Sequence, residues 1–262
     1  MDDRLRTGYP RSTFVIGGGR GMGAACVLRL ASQGVRCAIG YVCDDSSARA
    51  TAEKASRIGP EPILVKGDVA RDAARMVDIA NAELDGVDSL VVTAYPHIIG
   101  RALEVTEDEY RRAFDIHYWG TLEAVRAAAP SLSSARGAVV VVSSIGTFRY
   151  ARYYGVLGPA KAAMESLVVY LAAELGPKGV RVNGVQPQLV VSEEEDAASE
   201  DRRTDDIAGY AEVLQTVVRR TPLRKLATPI DVANVCVGLL SSDFKYVTGQ
   251  MLAVDGGYGL IS

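Results

Sequence analysis

Thr13-Phe14-Val15-Ile16-Gly17-Gly18-Gly19-Arg20-Gly21-Met22-Gly23 joins a short apolar run to a glycine-rich turn, and a second apolar segment, 24–31, follows at once. A short apolar run that stops at glycine reads as a buried strand, and the longer segment after it reads as a helix. The turn between them gathers backbone N–H groups at a helix N-terminus, an arrangement that suits a pyrophosphate. Glycine serves there because a Cβ would obstruct both a positive φ and the approach of phosphate oxygens to the backbone. The spacing Gly17-x3-Gly21-x-Gly23 predicts a dinucleotide turn built from Gly17, Gly19, Arg20, Gly21, Met22 and Gly23.

Outward from this turn, residues 13–17, 36–42, 62–65, 89–93, 138–143, 181–185 and 251–254 read as strands alternating with helical segments. Strands separated by crossover helices predict an α/β fold with a doubly wound, seven-stranded parallel sheet. Helices on both faces would bury the strands, which accounts for Val139-Val140-Val141-Val142 being apolar without alternation. With 262 residues, 48% of them hydrophobic, and no low-complexity linker, the chain reads as a single domain over 1–262. A variable flap is expected at about 192–215, where Glu193-Glu194-Glu195-Asp196 and Asp201-Arg202-Arg203 break the apolar periodicity.

Lysines and arginines number 29 against 32 aspartates and glutamates, so the broad basic footprint of a nucleic-acid or anionic-membrane binder is missing and a small-molecule ligand is favoured. No apolar run is long enough for a spanning helix and residues 1–10 are polar and charged, which predicts a cytoplasmic protein. Cys26, Cys37, Cys43 and Cys236 lack metal-ligand spacing and read as reduced residues, and no metal is expected.

The glycine turn in its strand–helix context resembles the short-chain dehydrogenase/reductases, a Rossmann-type family, and the likeness extends over most of the chain. Asp68-Val69 resembles the family's adenine contact, and Arg181-Val182-Asn183 and Val254-Asp255-Gly256-Gly257 resemble its late motifs. The resemblance implies NADPH or NADH as cofactor. Tyr41 occupies the end of the second strand, where an acidic side chain would select NADH; Arg20 favours a 2′-phosphate, while Asp44 and Asp45 oppose it, leaving a slight preference for NADPH.

The family's catalytic pattern is a serine followed by Tyr-x3-Lys. Lys161 matches the lysine, but Leu157 stands where the tyrosine belongs. Tyr154 instead gives Tyr-x6-Lys, the spacing of the divergent enoyl-acyl-carrier-protein reductases, and Ser143-Ser144 before it resembles the same group. Taken as helix, the longer spacing rises roughly 10 Å against about 6 Å for the shorter one, displacing Tyr154 outward from Lys161. A displaced phenol suits conjugate reduction, in which charge develops on a carbonyl oxygen remote from the carbon receiving hydride.

By the same likeness Thr93 and Ala94, replacing the usual Asn-Asn-Ala-Gly with Val92 and Tyr95, are cofactor-side residues. Pro187, Val190 and Ser192 inherit the family's grip on the nicotinamide carboxamide, and Gln188 replaces a glycine there. Tyr95, Pro96, His97 and Tyr150 are placed at the substrate, with Tyr154, Lys161 and Ser144 as the catalytic group. His117 occupies the position of an asparagine that completes a proton relay, and reads either as a titrating relay or as a hydrogen-bonded core histidine.

These residues predict an NAD(P)H-dependent reductase of a carbon–carbon double bond conjugated to a carbonyl, the substrate an enoyl thioester, free or carried on an acyl carrier. Two alternatives stay open: a carbonyl or cyclic-enone reductase, and a cofactor-binding protein without redox activity, suggested by Leu157, Gln188, His117 and Val92-Thr93. The resemblance also implies a homotetramer, with the Ala/Val-rich helix over 161–175 offering an apolar face.

Overall fold

β-Branched residues cluster in short runs along the chain, and each run becomes a strand whose stiff side chains pack on a pleated surface. The computed structural model describes residues 8–96, 98–191 and 210–260. Its strands are β1 (Ser12–Ile16), β2 (Arg36–Tyr41), β3 (Ile63–Lys66), β4 (Ser89–Val92), β5 (Ala138–Val142), β6 (Arg181–Pro187) and β7 (Met251–Val254). They form one seven-stranded parallel sheet in the order β3-β2-β1-β4-β5-β6-β7, the doubly wound α/β architecture expected from the sequence. Strand ends shift by one or two residues from the expected limits, most at β6, which runs on to Pro187.

The helices are α1 (Gly21–Ala31), α2 (Asp45–Ser56), α3 (Val69–Leu84), α4 (Glu107–Phe114), α5 (Gly120–Ala135), α6 (Leu157–Leu175), α7 (Tyr210–Arg220) and α8 (Pro229–Leu240). Val139 and Val141 of β5 pack on one face with α3, α5 and α6, while Val140 and Val142 pack on the other with α1 and α8. The unbroken valine run is therefore a strand buried on both sides. Cys26, Cys37 and Cys236 are buried, Cys43 is exposed, and all four are free thiols. Among the described residues no helix is long and apolar enough to cross a membrane.

Two segments depart from regular helix. Between α4 and α5 the helix opens into a π-helical turn, Asp115–Trp119, which brings His117 inward to 2% exposure. An inserted residue of this kind widens a helix and re-aims its side chains. At α6 the expected helical path from Tyr154 to Lys161 is not observed, because the helix starts at Leu157. Tyr153 has a left-handed φ of 61°, which no helical residue adopts, and Pro159 sits in the first turn, where its missing N–H breaks no bond. Tyr154 thus reaches the site from a loop, and the helical rise does not set its distance from Lys161.

Candidate active site

The sheet order reverses between β1 and β4, whose ends are paired through Ile16 and Val92. Ligands of open α/β sheets lodge at such a switch point, beyond the strands' C-terminal ends. Gly17 turns there with φ 85°, and its N–H and that of Gly18 both donate to Gly40 O, at 2.9 and 3.0 Å. Those two groups hold the turn. The Thr93 hydroxyl bonds Ile16 O and Gly17 O at 2.9 and 3.1 Å, buttressing the turn from β4.

A Cβ on Gly23 would stand 2.1 Å from Gly17 O, so glycine there lets α1 press against the turn. A Cβ on Gly19 would meet only Ala48, at 3.5 Å, an ordinary contact. The protein leaves room at Gly19, which is the space a ligand backbone contact needs. Arg20 precedes α1 and makes no side-chain cap hydrogen bond to its first turn, Gly21, Met22 and Gly23. A diphosphate fits this cradle by shape and by the dipole of α1.

At the adenosine end, Tyr41 Oη donates to Asp45 at 2.8 Å and Lys66 Nζ pairs with the same carboxylate at 2.7 Å. Lys66 and Arg49 offset the charge of Asp45, and Arg20 lies close enough to Asp44 to hold that carboxyl below its usual range, after the hydrogen bonds from Ser47. The Asp68 carboxylate caps α3 through Ala70 N at 3.1 Å and pairs with Arg112 at 2.8 Å. Val69 is core, 4% exposed, and its side chain packs inside the protein.

Lys161 is fully enclosed on α6. Its Nζ donates to Val142 O at 3.0 Å and to Ser143 O at 3.3 Å, the carbonyls at the end of β5. Burial pulls its pKa down to about 8, opposed by the charge of Glu165. The Tyr95 ring lies 5.9 Å from the same nitrogen. Tyr154 is partly buried against Gly146, and burial, with Tyr95 beside it, pushes its phenol well above the usual range; a hydrogen bond from Ser144 acts in the opposite direction. The Ser144 hydroxyl also accepts from Gly146 N at 3.1 Å.

Leu157, at the family's usual tyrosine position, is 0% exposed and belongs to a small core with Ala113, Val156 and Ala160. His117 is buried, its Nε2 without a hydrogen-bond partner among the described residues, and desolvation, then the nearby Lys161, keeps its pKa well below 6.5. It is a buried neutral imidazole, and its Nε2 lacks the hydrogen bond that the core reading of the sequence expected.

Tyr95, Tyr154, Ser144 and Lys161 thus lie together near the ends of β4 and β5, with Thr93 at the glycine turn. Pro96 is buried and Tyr150 is 90% exposed, so the two do not face the site alike. Val190 bridges to Ala227 and packs on the core beside α8. Gln188 is not left-handed, contrary to the concern its bulk raised, and its amide bonds Thr221 Oγ1 at 3.3 Å, away from any strained turn. Pro187 closes β6, buried. His97, Ser192 and the flap up to residue 209 lie outside the described residues. Among the described residues no group of three or more His, Cys, Asp or Glu could hold a metal.

Sequence reading missed Glu165 and Gln186. Glu165 Oε1 accepts a short hydrogen bond from Ser143 Oγ and a second from Gln186 Nε2 at 2.9 Å. The available signal was that Glu165 follows Lys161 by one helical turn and so shares its face.

A family model described as Enoyl-(Acyl carrier protein) reductase matches residues 17–259. L-rhamnose 1-dehydrogenase (NAD(P)(+)) of a Sphingomonas species is 33% identical over 253 residues, covering 94% of this chain and 95% of that protein. The 3-oxoacyl-[acyl-carrier-protein] reductase FabG of Staphylococcus aureus is 28% identical, covering 94% and 97%. A solved short-chain type dehydrogenase/reductase from Mycobacterium ulcerans superposes with a TM-score of 0.85 at 27% identity, covering 97% of this chain and 91% of that one.

Proposed function

The chain belongs to the short-chain dehydrogenase/reductase superfamily of NAD(P)-dependent oxidoreductases, and on that premise we propose that it reduces a carbon–carbon double bond conjugated to a carbonyl, with an enoyl thioester as substrate class. One observation carries the choice of reaction: Leu157 is sealed in the core at the position of the carbonyl-reducing tyrosine, leaving Tyr154, with Ser144 beside it, as the acid.

Gly19, Gly21, Met22 and Gly23 would hold the diphosphate, with Tyr41, Asp68 and Arg20 around the adenosine and Thr93, Ala94, Pro187 and Val190 along the nicotinamide side. When bound, the reduced nicotinamide supplies a hydride for the β-carbon of the substrate. Tyr154, kept protonated by burial, donates a hydrogen bond to the carbonyl oxygen on which negative charge gathers, and the resulting enolate takes a proton from solvent at its α-carbon, completing the saturated product. Lys161 holds the ribose hydroxyls and adds positive charge behind the phenol. Tyr95, beside Lys161, lines the substrate space, with Ser144 orienting the phenol. Pairing of Asp45 with Lys66, and Arg20 beside Asp44, supports NADPH over NADH.

Carbonyl reduction is the second reading, and the relatives favour it: the Sphingomonas and Staphylococcus proteins are both named for alcohol or ketone chemistry. The chain acts as one catalytic unit. Tyr118, Trp119, Val169 and Tyr170 are exposed on and beside α5 and α6, faces on which copies would pack in a homotetramer. The discriminating experiment follows nicotinamide absorbance with a short enoyl thioester and, in parallel, a 3-oxoacyl thioester. Oxidation with the enoyl substrate that collapses in Tyr154→Phe supports conjugate reduction. Turnover of the ketone alone overturns it.

A further inference from the structure

Glu165 stands outside the groups assigned to substrate and cofactor, yet it meets them through one shared residue. Its Oε1 accepts from Ser143 Oγ, and the carbonyl of the same Ser143 accepts from Lys161 Nζ at 3.3 Å. Gln186 Nε2, from β6, fixes the carboxylate from the far side at 2.9 Å and also approaches Thr147 Oγ1 at 3.4 Å. Ser143 and Gln186 are both buried, at 2% and 8% exposure. Glu165 is itself half-buried, and a carboxylate with two buried donors on one oxygen is restricted in position.

We propose that Glu165 is a positioning residue for Lys161: pinned by Ser143 and Gln186, it orients the carbonyl that receives the ammonium and supplies the negative charge that keeps this buried cation charged. The proposal rests on Lys161 being the ribose-binding cation of the proposed reductase. Its physical need is plain, since an ammonium inside the protein loses solvation and a nearby fixed anion offsets part of that loss. The other groups facing Lys161 do not serve. Tyr95 offers a ring face, Tyr154 is a neutral phenol, His117 is a neutral imidazole, and Val142 and Ser143 offer carbonyl dipoles. Among the described residues, Glu165 is the carboxylate acting on this lysine.

The test is NMR titration of the intact protein labelled with carbon-13 at lysine Cε, the Lys161 signal being identified by its loss in Lys161→Met. In Glu165→Gln the Lys161 midpoint is expected to fall by roughly one pH unit, about a tenfold shift of its protonation equilibrium. Ser143→Ala, which leaves the carboxylate held by Gln186 alone, is expected to move the midpoint in the same direction by less, and Glu165→Asp to restore part of the shift. A purely structural role would leave the titration in place. Midpoints unchanged in folded Glu165→Gln overturn the proposal; if that variant does not fold, an unchanged midpoint in Ser143→Ala does so. NADPH affinity, read by nicotinamide fluorescence, separates the two claims. A shifted lysine together with equal affinity in wild type and Lys161→Met would refute the ribose role and leave the action of Glu165 on Lys161 intact.

Discussion

Tyr154 packs, partly buried, against the small apolar core in which Leu157, one turn before Lys161, is wholly buried. Tyr154→Phe should lower turnover by about 10²–10⁴-fold, the range of a lost general acid, while cofactor affinity holds. Leu157→Tyr should not rescue it. The larger ring must enter a filled core of Ala113, Val156 and Ala160, at a cost of about 1–3 kcal/mol in denaturant unfolding.

Gly19 and Gly23 should respond in opposite ways to alanine. Gly23→Ala forces a Cβ to 2.1 Å from Gly17 O and should lower the melting temperature sharply. Gly19→Ala meets only Ala48 at 3.5 Å and should melt like wild type, while NADPH binding weakens because the methyl enters the phosphate space. Thermal denaturation and a fluorescence titration read both.

Cofactor affinity should fall as pH rises through about 8, where Lys161 loses its charge. The folded pKa is lower than the ordinary 10.5, so between about 8 and 10.5 the unfolded chain binds more protons and this group makes stability rise with pH. Binding and stability should thus move in opposite directions over that window, and Lys161→Met should remove both slopes.

His117 gives the acid-side counterpart. Its folded pKa lies below 6.5, so the unfolded chain takes up the proton first and stability contributed by the neutral ring is lost as pH falls below 6.5. His117→Leu should flatten the melting temperature across that range. A variant whose decline matches wild type would mean that folding does not lower the pKa of this ring.

Arg20→Ala should cost more NADPH affinity than NADH affinity, since a guanidinium beside the turn gains from a 2′-phosphate and little from a ribose hydroxyl. Equal losses would place Arg20 at the diphosphate instead.

By itself the sequence determined the sheet, the glycine turn and the candidacy of Lys161 and Tyr154. Those features are local: strand and helix periodicity, and the steric demands of Gly17 and Gly23, act over a few neighbouring residues. The seven-strand order arises because crossover helices leave few ways to connect such runs. Only the tertiary structure decided how the site is charged and which residues share it. Lys161 meets Val142 across 19 residues, Glu165 meets Gln186 across 21, and His117 turns inward through a π-helical insertion that the 3.6-residue pattern does not announce. Desolvation is likewise a property of packed surroundings, so the lowered pKa of Lys161 and the raised one of Tyr154 exist only once the strands and helices close around them.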